Sequence, residues 1–162
     1  VSTTTDPDDP RLGRGVDAEP IPQHETYLVL SAAERARGFI RPLRRSYRHV
    51  GIPGPQFALA GLSDKQRETY AGEGYVKYEN YPESELPALG RFWTQAQLDA
   101  VGKGCGTVTT MNYELAATYA RQPSYYGATY CCGCRTHLKV GASGEFTWID
   151  PDGSDSSERV GT

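Results

Sequence analysis

Nothing in this chain approaches the roughly 20 consecutive apolar residues that a membrane-spanning helix requires, so no membrane partner is expected. The first ten residues, Val1 to Pro10, are acidic and polar, without a basic stretch leading into an apolar one. That reads as a soluble, intracellular protein and not a secreted one. Acidic residues are missing from Arg35 to His49, and methionine is almost absent, with one in 162 residues. Aliphatic and aromatic content is low as well, at 38% hydrophobic. A core this lean calls for an extra staple, which small folds commonly take from a metal or from disulfides.

The signatures of several enzyme classes are missing too. Gly102-Lys103-Gly104 lacks the spacing of a phosphate-binding loop, and there is no G-x-S-x-G. The zinc-deaminase pattern, H-x-E followed by P-C-x-x-C, does not occur; His24-Glu25 stands far from any Pro-Cys pair. Histidine is limited to His24, His49 and His137. Catalysis is therefore not the expected role, and an enzyme would need a zinc-centred site or one built on His49 with Glu114 or Tyr113.

What the chain has in quantity is turn formers, 18 Gly and 11 Pro, and 11 Tyr. The expected fold is α+β, a small domain of short helices and strands. Residues 1–24 read as a disordered acidic arm, 25–150 as one domain, and 151–162 as a flexible tail. Tyr27-Leu28-Val29-Leu30 suits a strand, after which Ser31 with Glu34 caps a short helix that Gly38 ends. Ser63 with Gln66 and Thr94 with Gln97 open two more helices, the second ending at Gly102. Asn112 opens a third over Tyr113–Arg121. Tyr75–Tyr78 reads as a strand and Tyr81–Glu85 as irregular. The chain closes with a cysteine knuckle followed by a β-hairpin.

The knuckle carries the chemistry. Cys131-x-x-Cys134-x-x-His137 places two thiolates on one tight turn, with Gly133 permitting a backbone shape that a Cβ resists. Zinc takes four such ligands tetrahedrally, and Cys105, in Gly104-Cys105-Gly106, is the expected fourth. With four protein ligands the zinc would be structural, contributing folding energy directly. Cys132 would be a spare thiol, or could exchange with Cys131. Competing readings are two disulfides, free buried thiols, or a redox pair. Adjacent Cys131 and Cys132 cannot easily bond each other, and a redox CxxC precedes a helix, where a strand is expected here.

The run Tyr126-Gly127-Ala128-Thr129-Tyr130-Cys131-Cys132-Gly133-Cys134-Arg135-Thr136-His137-Leu138-Lys139-Val140, followed by Glu145-Phe146-Thr147-Trp148, resembles the C-terminal segment of small uncharacterised proteins of tailed bacteriophages, especially those of actinobacteria. Arg91-Phe92-Trp93-Thr94-Gln95 and Gly104-Cys105-Gly106-Thr107 belong to the same pattern, which covers Tyr27 to Gly161. The knuckle is also similar to the opening of treble-clef zinc units. The phage resemblance implies an accessory or virion protein, in the infected host's cytoplasm or in the virion, and brings no reaction with it. A phage or host protein is the expected partner.

Six arginines between Arg35 and Arg48 make the alternative a nucleic-acid-binding protein, with Arg41, Arg44, Arg45 and Arg48 on phosphates and Phe39 and Tyr47 on bases. A solvated face, or a surface docking an acidic partner or the chain's own acidic ends, would show the same pattern. The net charge of −3 argues against non-specific coating of DNA. The tyrosines fill a core short of aliphatics or line an interface.

Overall fold

The computed structural model describes residues 2–12, 26–56, 59–61, 64–69, 76–78 and 92–162. Along the chain run β1 (Ser2–Thr4), β2 (Thr26–Leu28), α1 (Ala32–Arg35), β3 (Ser46–His49), β4 (Leu59–Gly61), α2 (Asp64–Thr69), β5 (Val76–Tyr78), β6 (Phe92–Trp93) and α3 (Gln95–Ala100). There follow β7 (Val108–Thr110), α4 (Tyr113–Arg121), β8 (Ala128–Cys131), β9 (Thr136–Lys139), β10 (Phe146–Ile149) and β11 (Asp155–Arg159). This is the expected α+β class, with short elements throughout.

The chain divides into two compact units. Val1–Ile52 joins Gly104–Thr162 in the first, and Pro53–Lys103 is inserted as the second. The second holds the antiparallel sheet β4-β5-β6 with α2 and α3. Thr94 caps α3 reciprocally: its hydroxyl accepts from the Gln97 N–H at 3.1 Å while the Gln97 side chain accepts from the Thr94 N–H at 3.0 Å. The Ser63 cap, Tyr75 and the Tyr81–Glu85 segment lie outside the described residues.

The first unit is built on the antiparallel sheet β11-β10-β3-β7. Tyr47 of β3 stands opposite Trp148 of β10 and Thr109 of β7. Helix α4 begins where the sequence places it, with Asn112 Oδ1 accepting from the Leu115 N–H at 2.9 Å. It buries Leu115, Ala116 and Tyr119 in one core with Tyr47, Phe146 and Trp148. The rings meet edge to face, Tyr47 on Phe146 at 5.2 Å and Tyr119 on Trp148 at 5.5 Å. Tyrosine thus does the packing that leucine does elsewhere. Strands β8 and β9 form a separate hairpin around the knuckle, and β10 with β11 makes the hairpin that follows it.

Both chain ends are more ordered than their composition suggests. In the expected arm, Ser2–Thr4 pairs in parallel with β2, and the Val29 N–H donates to the Thr4 carbonyl at 2.9 Å. Residues 13–25 lie outside the described set. The expected tail, 151–162, holds β11, and Val160 is fully buried in the core. Two of its acidic residues, Asp155 and Glu158, are counter-charges of Arg48 and Arg44, which helps a polar segment stay down. Val160→Ala is expected to cost about 2 kcal/mol, from two lost methyl groups and the space they leave. In a unit this size that is a fall of about 10 °C in melting temperature. An unchanged transition in a thermal melt would mean that the segment is loose.

Candidate metal centre

Strand alternation aims His49 inward. In β3 Tyr47 and His49 are buried while Ser46 and Arg48 face outward, as a period of two requires. The His49 backbone is held from both sides, its N–H donating to Thr107 O at 3.1 Å and its carbonyl accepting from the Gly106 N–H at 2.9 Å. Its Nε2 lies 3.1 Å from Glu145 Oε1. A carboxylate there fixes the proton on Nε2 and makes Nδ1 the lone-pair nitrogen, which accepts from the Cys105 N–H at 3.1 Å and faces the sulfurs as a candidate ligand.

Three sulfur atoms surround that lone pair. Cys131 ends β8, and the turn after it is closed by the Arg135 N–H donating to Cys131 O at 2.7 Å. Within the turn the Cys134 N–H points at Cys131 Sγ, 3.4 Å away. Gly133 is required: a Cβ there would collide with Thr107 Oγ1 and come within 2.9 Å of Cys105 Sγ. Gly104 is required for the same reason, because a Cβ would run into the His49 carbonyl. These two close approaches bring the Cys105 loop down onto β3 and the knuckle.

The four donor atoms of His49, Cys105, Cys131 and Cys134 all lie within 4.8 Å of one another. Cys105 and Cys131 sulfurs are 3.5 Å apart, and His49 Nδ1 is 3.4 Å from Cys134 Sγ and 3.8 Å from Cys131 Sγ. Around a tetrahedral ion with sulfur at about 2.3 Å and nitrogen at about 2.0 Å, sulfurs stand about 3.8 Å apart and sulfur and nitrogen about 3.5 Å. The donor set and its spacing fit a metal. None of the four cysteines is in a disulfide.

Electrostatics says the same. Burial alone would raise the Cys105 thiol, but hydrogen bonds led by those from the Thr107 side chain and backbone hold it down at about 6. Burial pushes Cys134 up to about 12, helped by the neighbouring sulfurs of Cys105 and Cys131, and burial raises Cys131 as well. One negative charge is easily held here and the second and third are not. A cation resolves that conflict by compensating all three.

Of the four ligands expected from sequence, Cys105, Cys131 and Cys134 come together and His137 does not. His137 stands opposite Tyr130 in the β8–β9 ladder, one step along from the Cys131–Thr136 pair. The pleat sends neighbouring pairs to opposite faces, so His137 points away from the Cys131 sulfur. It shares a 3.2 Å hydrogen bond with the Tyr27 hydroxyl and packs between the Tyr27 and Tyr130 rings. Burial lowers its pKa, in keeping with a neutral imidazole. Cys132 is exposed, with its thiol at 3.5 Å from Val108 O, and takes no part in the group. His49 is the ligand that sequence reasoning set elsewhere. Its signal was the alternation of Tyr47 and His49 on one strand face. Tyr113, offered as its catalytic neighbour, is instead exposed on α4.

Of the arginine stretch, Arg44 is buried, and Arg45 and Arg48 bond other parts of the chain from its surface. The Arg44 side chain is 3% exposed, pairs with Glu158 and with Asp150 at 3.6 Å, and lies 5.1 Å over the Trp148 ring. Arg48 bonds Asp155 at 2.9 Å and Gly106 O at 2.8 Å, and Arg45 bonds Met111 O at 3.0 Å. Arg41 is exposed, with Nε 3.3 Å from Thr162 O. Among the described residues no helix is long and apolar enough to cross a membrane. Comparison of the chain with protein-family models, with curated proteins and with solved structures returns no match.

Proposed function

We propose that this is a zinc protein whose metal is structural, and that it acts by binding another protein, as an accessory or virion-associated component of a tailed phage. The observation that carries the metal half is the convergence of three thiols and one imidazole on a single point. Three sulfurs and one nitrogen select zinc over harder divalent ions. Four protein donors fill a tetrahedron, leaving no position for a reacting water, and three thiolates damp Lewis acidity. Cys105 enters from the loop before β7, Cys131 and Cys134 from the knuckle, and His49 from the central sheet, so an ion here ties three separate pieces of the first unit together.

The binding half rests on the phage resemblance and on what the arginines do. Arg44, Arg45 and Arg48, with their partners inside the chain, are poorly placed to take phosphates, which favours a protein partner. A tagged copy drawn from infected cells is expected to retain one phage or host protein in near-equal amount, and to keep it after nuclease treatment. Recovery of nucleic acid instead, released steeply between about 50 and 200 mM salt, would replace this reading with the arginine one.

A further inference from the structure

Of the large apolar side chains exposed among the described residues, Phe39 and Ile40 are neighbours, 42% and 58% exposed. Val108 and Tyr113 stand elsewhere, on β7 and at the start of α4. Every residue from Ala36 to Pro42 is exposed, yet this loop is fastened. The Ile40 and Arg41 N–H groups both donate to Ala120 O near the end of α4, at 2.9 and 3.1 Å. Arg121 reaches over from the same helix end, its Nη1 donating to Gly38 O at 3.3 Å. Two apolar side chains are thus held out toward water on a fixed backbone.

Arginines frame them. Arg37 precedes Phe39 by two residues, Arg41 follows Ile40, and Arg121 lies against the loop. Among the described carboxylate side chains Glu34 alone pairs with these three, shared by Arg37 at 3.2 Å and Arg121 at 3.4 Å. Arg41 bonds Ile40 O at 3.1 Å and Thr162 O at 3.3 Å. The guanidiniums outnumber that carboxylate, so the loop is locally positive in a chain whose net charge is −3. An acidic partner is drawn to this loop and repelled by the chain's average field, which orients its approach.

The apolar pair narrows the class of partner. A nucleic acid leaves Ile40, which has no ring to stack on a base, without a contact. A bilayer takes a broad apolar face, and two side chains on one loop make a narrow one. We infer that this loop is the docking surface for an acidic peptide segment of a partner protein, one carrying an apolar side chain among its carboxylates. Guanidiniums would grip the carboxylates while Phe39 and Ile40 lose their contact with water. This inference rests on the protein-binding reading above and names the surface for it.

The probe is a synthetic acidic peptide with a leucine-phenylalanine pair at its centre, titrated into the intact protein beside a twin with serine at both apolar positions. The first is expected to bind with a Kd on the order of 0.1 mM and the twin about tenfold more weakly. Arg41→Glu should weaken the first peptide about tenfold and Ile40→Ser about fivefold. Tyr113→Ser, at the far end of α4, should leave it unchanged. These side chains are exposed, and each variant's near-UV spectrum reports whether it is folded. No binding at about 1 mM peptide, equal binding of the serine twin, or parental binding by Arg41→Glu and Ile40→Ser would overturn the inference. So would tighter binding of phosphatidylglycerol vesicles or of a single-stranded oligothymidylate, lost in the same two variants. In infected cells the double variant Ile40→Ser with Arg41→Glu is expected to lose the partner that the parent retains. If it keeps that partner, this loop is overturned and the protein-binding reading stands. If the peptide binds as expected while the parent retains no protein, that reading falls and the loop stands as a peptide site.

Discussion

Removal of zinc by a chelator at neutral pH is expected to unfold the first unit. The as-purified protein should carry one zinc per chain, bound by three sulfurs and one nitrogen in its X-ray absorption spectrum. A structural zinc contributes an apparent 10–16 kcal/mol, on the order of what small zinc domains show, against a typical total stability of about 5–15 kcal/mol. The metal term is then as large as everything else together. The core it supports is thin, and Cys131, fully buried, is itself part of it. Without the ion, three sulfurs and an imidazole nitrogen that lie within 4.8 Å of one another lose the bonds that would join three separate pieces of the chain. The near-UV signal of Trp148, packed between Tyr47 and Tyr119, should collapse as the metal leaves. His49→Ala should do the same to the metal-loaded protein, whereas His137→Ala should keep its zinc. A chelated sample shown to be metal-free, yet with an unchanged near-UV spectrum, would refute the structural role. Zinc loss in His137→Ala but not in His49→Ala would return the fourth ligand to the knuckle.

What the sequence disclosed and what it withheld divide along the distance over which each feature is determined. Asn112 and Thr94 act on amides three residues away, so their helices could be read directly. Gly38 and Gly102 end α1 and α3 with positive φ, another purely local matter. The two-residue gap between Cys131 and Cys134 fixes a turn by itself. His49 is different. It becomes a ligand only because β3 pairs with β10, and because the chain returns after Pro53–Lys103 to lay Cys105 against it. Nothing within ten residues of His49 announces either event. His137 misled for the opposite reason: spacing brought it near, and the pleat, which spacing does not record, turned it away. The C-terminal strand was hidden by its polarity. None of its own residues is buried, Val160 just after it being the one that enters the core, and its attachments are ladder hydrogen bonds and ion pairs to arginines more than a hundred positions upstream.

That same long return leads to the second large effect. Replacing Pro53–Lys103 by a short glycine-serine linker is expected to leave the first unit folded with its zinc in place. The two ends of the insertion already meet: the Cys105 N–H lies 3.1 Å from His49 Nδ1, and a Cβ on Gly104 would fall 2.5 Å from the Val50 carbonyl carbon. A few linker residues span such a gap without strain. Closing a short loop in place of a long one also lowers the entropic cost by about 2 kcal/mol, so the melting temperature should hold or rise. All four ligands, the sheet β11-β10-β3-β7 and α4 belong to the retained part. A trimmed chain that purifies unfolded or without zinc would show that the first unit depends on the second. A trimmed chain that is folded and metal-loaded but no longer holds its protein partner would assign partner recognition to Pro53–Lys103. The metal would then be the fastening at the base of that insertion, with His49 three residues before its entry at Ile52 and Cys105 next to its exit at Gly104.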